Sequence, residues 1–238
     1  MLGGSLLSGP LLGSVGLGQL DPFSDSSLLT LYEFDGNTSD ATGGVNASGG
    51  GNYVSGLFGQ AVSLGPSSNK VVGHRGISYG DTVSMWFKPN VSDWSINRNF
   101  RLFTQHQNNY YYWSYVSVGY SAADDAFQFF MLVRIPTTYR YCYTQATVQL
   151  NKADWNLITF SFVSALNYQF SINGQPMVVC PFVSGNGTPG ALVSNVNWIG
   201  GIWSNGVAFY DDNFLIDRYR HFNRQLTSAE ISTLYSEK

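Results

Sequence analysis

At 238 residues, with 26 glycines, 16% aromatic and 11% charged residues, the chain is long enough for one all-β core and too aromatic to be disordered. The net charge is −3 and the twelve Lys and Arg are scattered, which argues against nucleic acid as the main partner. Cys142 and Cys180 are too few for a disulfide framework, and both fall in strand-like runs where they read as buried free thiols.

In chain order, residues 1–20 come first, rich in Leu and Gly and without a basic residue; the first is Lys70. A secretory signal would open on Lys or Arg, and Gly and Pro interrupt the segment too often for a membrane-spanning helix. It reads as an apolar arm that orders on meeting another surface. Asp21–Ser27 is a polar, Pro- and Ser-punctuated linker, so residues 1–27 form an arm and residues 28–238 the domain.

Strand signals then recur. Leu28–Phe34 is the first, followed by an Asx-rich turn with Asp35, Asn37 and Asp40. In Thr82–Lys88, Val83, Met85 and Phe87 share one face, while Trp86 joins Thr82, Ser84 and Lys88 on the other. That second face is therefore not purely solvated. The stretch from Trp94 through Tyr110, Tyr111, Tyr112, Trp113 and Tyr115 is aromatic and flanked by Asn and Gln. Period-two rows continue at Phe127, Phe129, Met131 and Val133, then at Ile158, Phe160 and Phe162, then at Tyr168, Phe170 and Ile172. Asn173-Gly174 follows as a two-residue hairpin turn. Arg218, Arg220 and Arg224 form the densest basic cluster and read as a solvated strand edge. Thr227-Ser228-Ala229-Glu230 is a capping box opening a short helix with Ile231, Leu234 and Tyr235 on one face.

Two packed antiparallel sheets with a C-terminal helix are the expected outcome. The pieces resemble, in order, the laminin-G-like, concanavalin A-like lectin/glucanase jelly-roll superfamily. The resemblance is carried by Leu31–Asn37 with Asp40, Gly56–Ala61, Asp154–Phe160, Tyr168–Gly174, Ile216–Arg220 and Asn223–Thr227, covering Leu28 to Tyr235. The last strand departs from the family pattern at Tyr219 and His221, where small aliphatic residues are usual, and Val91–Tyr143 has no close family pattern. The resemblance implies an all-β jelly-roll sandwich. It leaves function open, because the superfamily hosts lectins, adhesins, enzyme accessory domains and virion proteins.

Glucan-cutting members of the superfamily use a Glu-x-Asp-x-x-Glu strand that places two carboxylates on one face. Here the only glutamates are Glu33, Glu230 and Glu237, two of them in the terminal helix and tail. Asp124-Asp125 reads as a turn, since neighbours on a strand face opposite ways. His74, His106 and His221 are isolated, with no zinc-type spacing, so no catalytic residues are expected. A structural calcium is the one candidate cofactor: Asp35, Asn37 and Asp40 share a turn, and the fold would bring Asp217 near them.

Trp94, Tyr112, Trp113 and Tyr115, with Trp203 in a later loop, are the candidate glycan contacts, because flat rings stack on pyranose faces while amides bind hydroxyls. The reading favoured is a non-catalytic binding or assembly protein: a phage virion component (tail, fibre or capsid surface) anchored through residues 1–27 to other virion proteins or to copies of itself, as a trimer or higher assembly, and binding a host surface glycan. The alternative is a secreted carbohydrate-binding module or adhesin, extracellular rather than virion-borne.

Overall fold

A computed structural model describes residues 20–49, 51–65, 71–73, 75–106, 113–135, 138–143, 148–164, 167–180, 182–184, 196–200, 202–204, 207–209 and 213–238. Residues 1–19 of the expected arm lie outside them.

Two antiparallel sheets face each other. The first holds β1 (Leu28–Tyr32), β3 (Asn52–Ser55), β4 (Gln60–Leu64), β6 (Thr82–Pro89), β11 (Asn156–Ser164), β12 (Asn167–Ile172), β13 (Val178–Cys180) and β18 (Phe214–Phe222). Their order is β13-β12-β11-β6-β18-β4-β3, with β1 beside the second half of β18. The second sheet runs β14 (Phe182–Ser184), β10 (Thr138–Tyr143), β9 (Ala126–Ile135), β8 (Trp113–Ser121), β7 (Arg98–His106), β15 (Val196–Ile199), β5 (Val71–Gly73) and β2 (Ser48–Gly49). A separate hairpin pairs β16 (Ile202–Ser204) with β17 (Val207–Phe209). The crossovers between non-adjacent strands are those of the expected jelly roll.

The inward rows read from the sequence meet in one core. Val83, Met85 and Phe87 of β6, Ile158, Phe160 and Phe162 of β11, and Phe127, Phe129 and Met131 of β9 are all buried there. Phe129 stacks on Phe170 across the gap, centroids 4.6 Å apart. The hairpin between β12 and β13 uses Asn173 and Gly174 at φ 51° and 75°, both in the left-handed region a type I′ turn needs.

A second apolar cluster lies on the outer face of the first sheet. The helix α1 (Ser228–Tyr235) starts with the expected capping box and lays Ile231 and Leu234 over Trp86, Leu31, Leu157 and Phe222. Trp86 is fully buried, stacked on Tyr235 at 5.8 Å. Residues 21–27, expected as a linker, pack here too. Phe23 meets Phe222 at 5.5 Å, Ser27 O accepts the Asn223 amide at 2.9 Å, and Arg224 Nε donates to Asp25 at 2.8 Å.

Two expectations need correction. Cys180 is disulfide-bonded, not a free thiol, and Cys142 is the only other cysteine in the chain. The sequence could not show the reason: β14 follows Cys180 at once and pairs with β10, setting Phe182 opposite Cys142. The arginine cluster is not a solvated edge either. Arg220 is only 4% exposed, and with Arg218 it shares the Glu237 carboxylate beneath the C-terminal tail.

Candidate functional site

The outer faces of the two sheets differ, and the difference locates the candidate site. On the second sheet, strand register sets out the rows that face away from the core. Trp198, Thr104 and Tyr115 form one row, Arg101, Ser117 and Phe130 the next, and Asn99, Gly119 and Gln128 a third. Helix α1 lies on the other sheet.

Along β8 the outward residues shrink from Tyr115 to Ser117 to Gly119, while Val116, Val118 and Tyr120 alternate into the core. Neighbours lean into the space this leaves. A Cβ on Gly119 would lie 2.7 Å from Phe130 Cε2, so glycine is what lets that ring cross the strand. The Arg101 guanidinium sits over the Tyr115 ring, 4.7 Å from its centroid. Ser117 and Thr104 are buried although they face outward. The face is a half-buried aromatic and guanidinium layer above two hydroxyls. It offers flat rings and hydrogen-bond donors to a neutral polar ligand.

The sequence-predicted glycan residues are divided by this arrangement. Tyr115 lies on the outer face. Trp113 is on the same strand and Trp203 on β16, but their side chains, like all of Tyr112, lie outside the described residues. Trp94 packs instead at the rim of the core, edge-on to Tyr120 at 4.9 Å and to Phe127 at 5.7 Å, with Lys152 Nζ 5.3 Å from its ring. Arg101, Phe130 and Trp198 share the outer rows with Tyr115 but were not among the expected residues. Their signal was the register across β7, β8, β9 and β15, which pairs residues far apart in sequence.

The candidate calcium ligands are engaged with backbone amides. Asp40 Oδ1 accepts from Leu31 N, Thr42 N and Thr42 Oγ1 at 2.8–3.0 Å. Asn37 bonds Asp35 O and Ser39 N within its own turn. Asp35 and Asp217 converge on one loop from different sides: Asp35 Oδ1 accepts Gln60 N at 2.6 Å, and Asp217 Oδ2 accepts Leu57 N at 2.8 Å and Phe58 N at 3.0 Å. Burial pushes the Asp217 carboxyl above its ordinary range, against the pull of those two amides. Among the described residues no three His, Cys, Asp or Glu side chains gather as a metal site.

The acids and bases met elsewhere are tied to structure. Asp125, in the turn expected at 121–125, is bonded by Lys152 and by the Tyr120 hydroxyl. Glu230 accepts from Arg224 and from the Thr227 amide, and the Arg224 bond in particular holds its carboxyl down at about 2. No described helix is long and apolar enough to cross a membrane.

The sequence profile of the concanavalin A-like lectin/glucanase superfamily, of laminin-G type, matches residues 59–232. The chain belongs to this superfamily. No curated protein matches the sequence. Among solved structures, domain 4 of AbnA, a GH43 extracellular arabinanase from Geobacillus stearothermophilus determined in complex with arabinotriose, superposes with TM-score 0.60 at 18% identity. The match covers 88% of this chain and 98% of that domain. The binding domain of botulinum neurotoxin serotype D gives 0.59 at 13% identity, over 89% of this chain and 52% of that one. The binding domain of Paraclostridial Mosquitocidal Protein 1 gives 0.61 at 13%, again over 89% and 52%. The chain therefore spans about half the length of the toxin domains. At these identities the likeness is one of fold.

Proposed function

We propose that this laminin-G-type domain is a non-catalytic carbohydrate-binding module whose ligand lies on the outer face of its second sheet, across Tyr115, Arg101, Phe130 and Trp198. The observation that carries the reading is the layer of rings and guanidinium over Ser117 and Thr104, set on a face away from the helix that covers the other sheet. The arabinotriose complex of the similar arabinanase domain and the binding role in the toxin domains' names support the same class. The glutamates support a non-catalytic role. Glu230 and Glu237 are held in ion pairs with arginines, and no Glu-x-Asp-x-x-Glu strand occurs in the sequence. The Cys180 disulfide favours work in an oxidising, extracellular setting.

The competing reading is a virion component assembled through residues 1–27, and its support is the apolar composition of that arm. The relatives above add nothing to it. A panel of neutral oligosaccharides including arabinotriose, screened by array and measured by calorimetry, separates the two. The module reading expects binding by a monomer, and Tyr115→Ala should weaken it about tenfold with the fold intact. Absence of binding to any glycan, with size in solution falling when residues 1–19 are removed, would favour assembly.

A further inference from the structure

The two positions where the last strand departs from its family's pattern, Tyr219 and His221, line a recess between the sheets at their rim. The first sheet contributes Thr30 and Tyr32 from β1 and Tyr219 and His221 from β18; Phe103 of β7 is among the residues facing them from the second, and Arg75 stands exposed at the edge. Tyr219 stacks on Tyr32 at 5.7 Å and on Phe103 at 6.5 Å, giving the recess an aromatic wall. None of these residues belongs to the outer face described above.

The polar end is His221, which is 1% exposed. Its Nε2 lies 2.9 Å from Asp81 Oδ2, and that oxygen also accepts the Ser78 amide at 2.8 Å. An oxygen already serving as acceptor to an amide is a carboxylate oxygen, so Nε2 carries the proton and donates. In the neutral ring Nδ1 is then a bare acceptor. It has no hydrogen-bond partner among the described residues, although it is buried. Leaving a buried polar atom unbonded is costly, and an occupant that supplies the bond removes that cost. Thr30 is directly cross-strand from His221, which puts both side chains on the inner side of the strand pair.

We propose that this recess is a second ligand site, taking one hydroxyl of a neutral polyol or sugar, which donates to His221 Nδ1 while its carbon lies against the Tyr219 wall. Size and charge select this class. The recess encloses only about 10 Å³, far below the roughly 300 Å³ at which pockets begin to enclose whole small ligands. Its inner end has room for a single water-sized group, so a hydroxyl enters and the rest of the molecule stays at the mouth. An anion lacks the proton that neutral Nδ1 requires, and an ammonium donor would have to pass the Arg75 guanidinium.

Nitrogen NMR of the imidazoles in the full chain at pH 8, titrated with glycerol and separately with a methyl glycoside, tests this. The expected result is a saturable upfield movement of the His221 Nδ1 resonance with Nε2 unchanged. His221→Phe keeps an aromatic ring but deletes the Nδ1 acceptor together with the bond to Asp81, and should weaken glycerol binding about five- to tenfold. If that variant does not fold, Thr30→Val, which removes the neighbouring hydroxyl at constant shape, should weaken the same titration. Tyr115→Ala should leave it unaltered, which separates failure here from failure of the outer-face site. An Nδ1 resonance that stays fixed throughout either titration would mean that trapped water satisfies the nitrogen, and would overturn the proposal.

Discussion

The two sheets share one core but use their outer faces in opposite ways. The first spends its outer face on packing: Trp86, Leu31, Leu157 and Phe222 lie under Ile231, Leu234 and the chain around Phe23. On the second, Tyr115, Arg101 and Phe130 are only partly buried. A jelly roll needs just one interior to hold its sheets together. The second apolar cluster therefore stiffens one sheet, while the rings of the other stay half-buried, the face on which the proposed function places recognition. The comparison predicts that substitutions on the covered face are read in stability and those on the open face in binding.

Trp86→Ala is the strongest test. The indole is fully buried between β6 and α1, and its loss should cost about 3–5 kcal/mol in urea unfolding, with α1 losing its seat. A loss below about 1 kcal/mol would show that the outer cluster is not a second core. Cutting the disulfide comes next. Cys180→Ser should cost about 2–4 kcal/mol, because Cys180 ends β13 in the first sheet while its only possible partner lies on β10 in the second. Unchanged unfolding under reducing conditions would remove the bond from the account.

What could be read in advance followed from local chemistry. Period-two rows gave the inner faces of β6, β9, β11 and β12, Asn173-Gly174 gave its hairpin, and Thr227 with Glu230 gave the helix start. Trp86 already stood out as the one large ring on a polar row. What could not be read depended on pairing between distant segments. The Cys180 bond requires β14 to cross to β10, Arg220 is buried only because the tail brings Glu237 over it, and Trp198 meets Tyr115 only through Thr104. The aromatic residues in the middle of the chain were legible as candidates, but which of them share one face was not. Trp94 looked equivalent to Tyr115 until β8 and β9 turned one inward against Tyr120 and Phe127 and the other out.

Asp217 sharpens the comparison from the covered side. Its Oδ2 holds the Leu57 and Phe58 amides, and its Oδ1 is buried without a partner among the described residues. Asp217→Ala should cost about 1–3 kcal/mol by orphaning both amides. Asp217→Asn keeps an acceptor and removes the charge, and should be neutral to stabilising at pH 7. The sign follows from the raised folded pKa: the native carboxyl binds its proton more readily than the unfolded one. This contribution therefore grows as pH falls through the folded value and levels off below the ordinary value of 3.8. The Asp217→Asn variant, having no carboxyl to protonate, should lack that gain. Wild type and variant with parallel stability–pH curves would contradict a desolvated carboxylate.

Glu230 works in the opposite sense. Its folded pKa is lowered from 4.5 to about 2 by Arg224 and the capping amide, so its contribution is present above 4.5 and is lost as pH falls toward 2. Glu230→Gln should flatten that window and cost about 1 kcal/mol at pH 7, since the side-chain half of the cap is weakened and the partly buried Arg224 pair remains partly screened by solvent.

The smallest stability change belongs to the open face. Tyr115→Ala removes a half-buried ring and its stacked guanidinium, and unfolding should become easier by about 1 kcal/mol or less. Arg101→Lys is the finer probe: it keeps the charge but loses the planar group that covers the ring, so oligosaccharide affinity should drop while the unfolding midpoint holds. If instead Tyr115→Ala unfolds the domain as Trp86→Ala does, the second sheet's outer face is structural in the same sense as the first, and recognition must lie elsewhere on the sandwich.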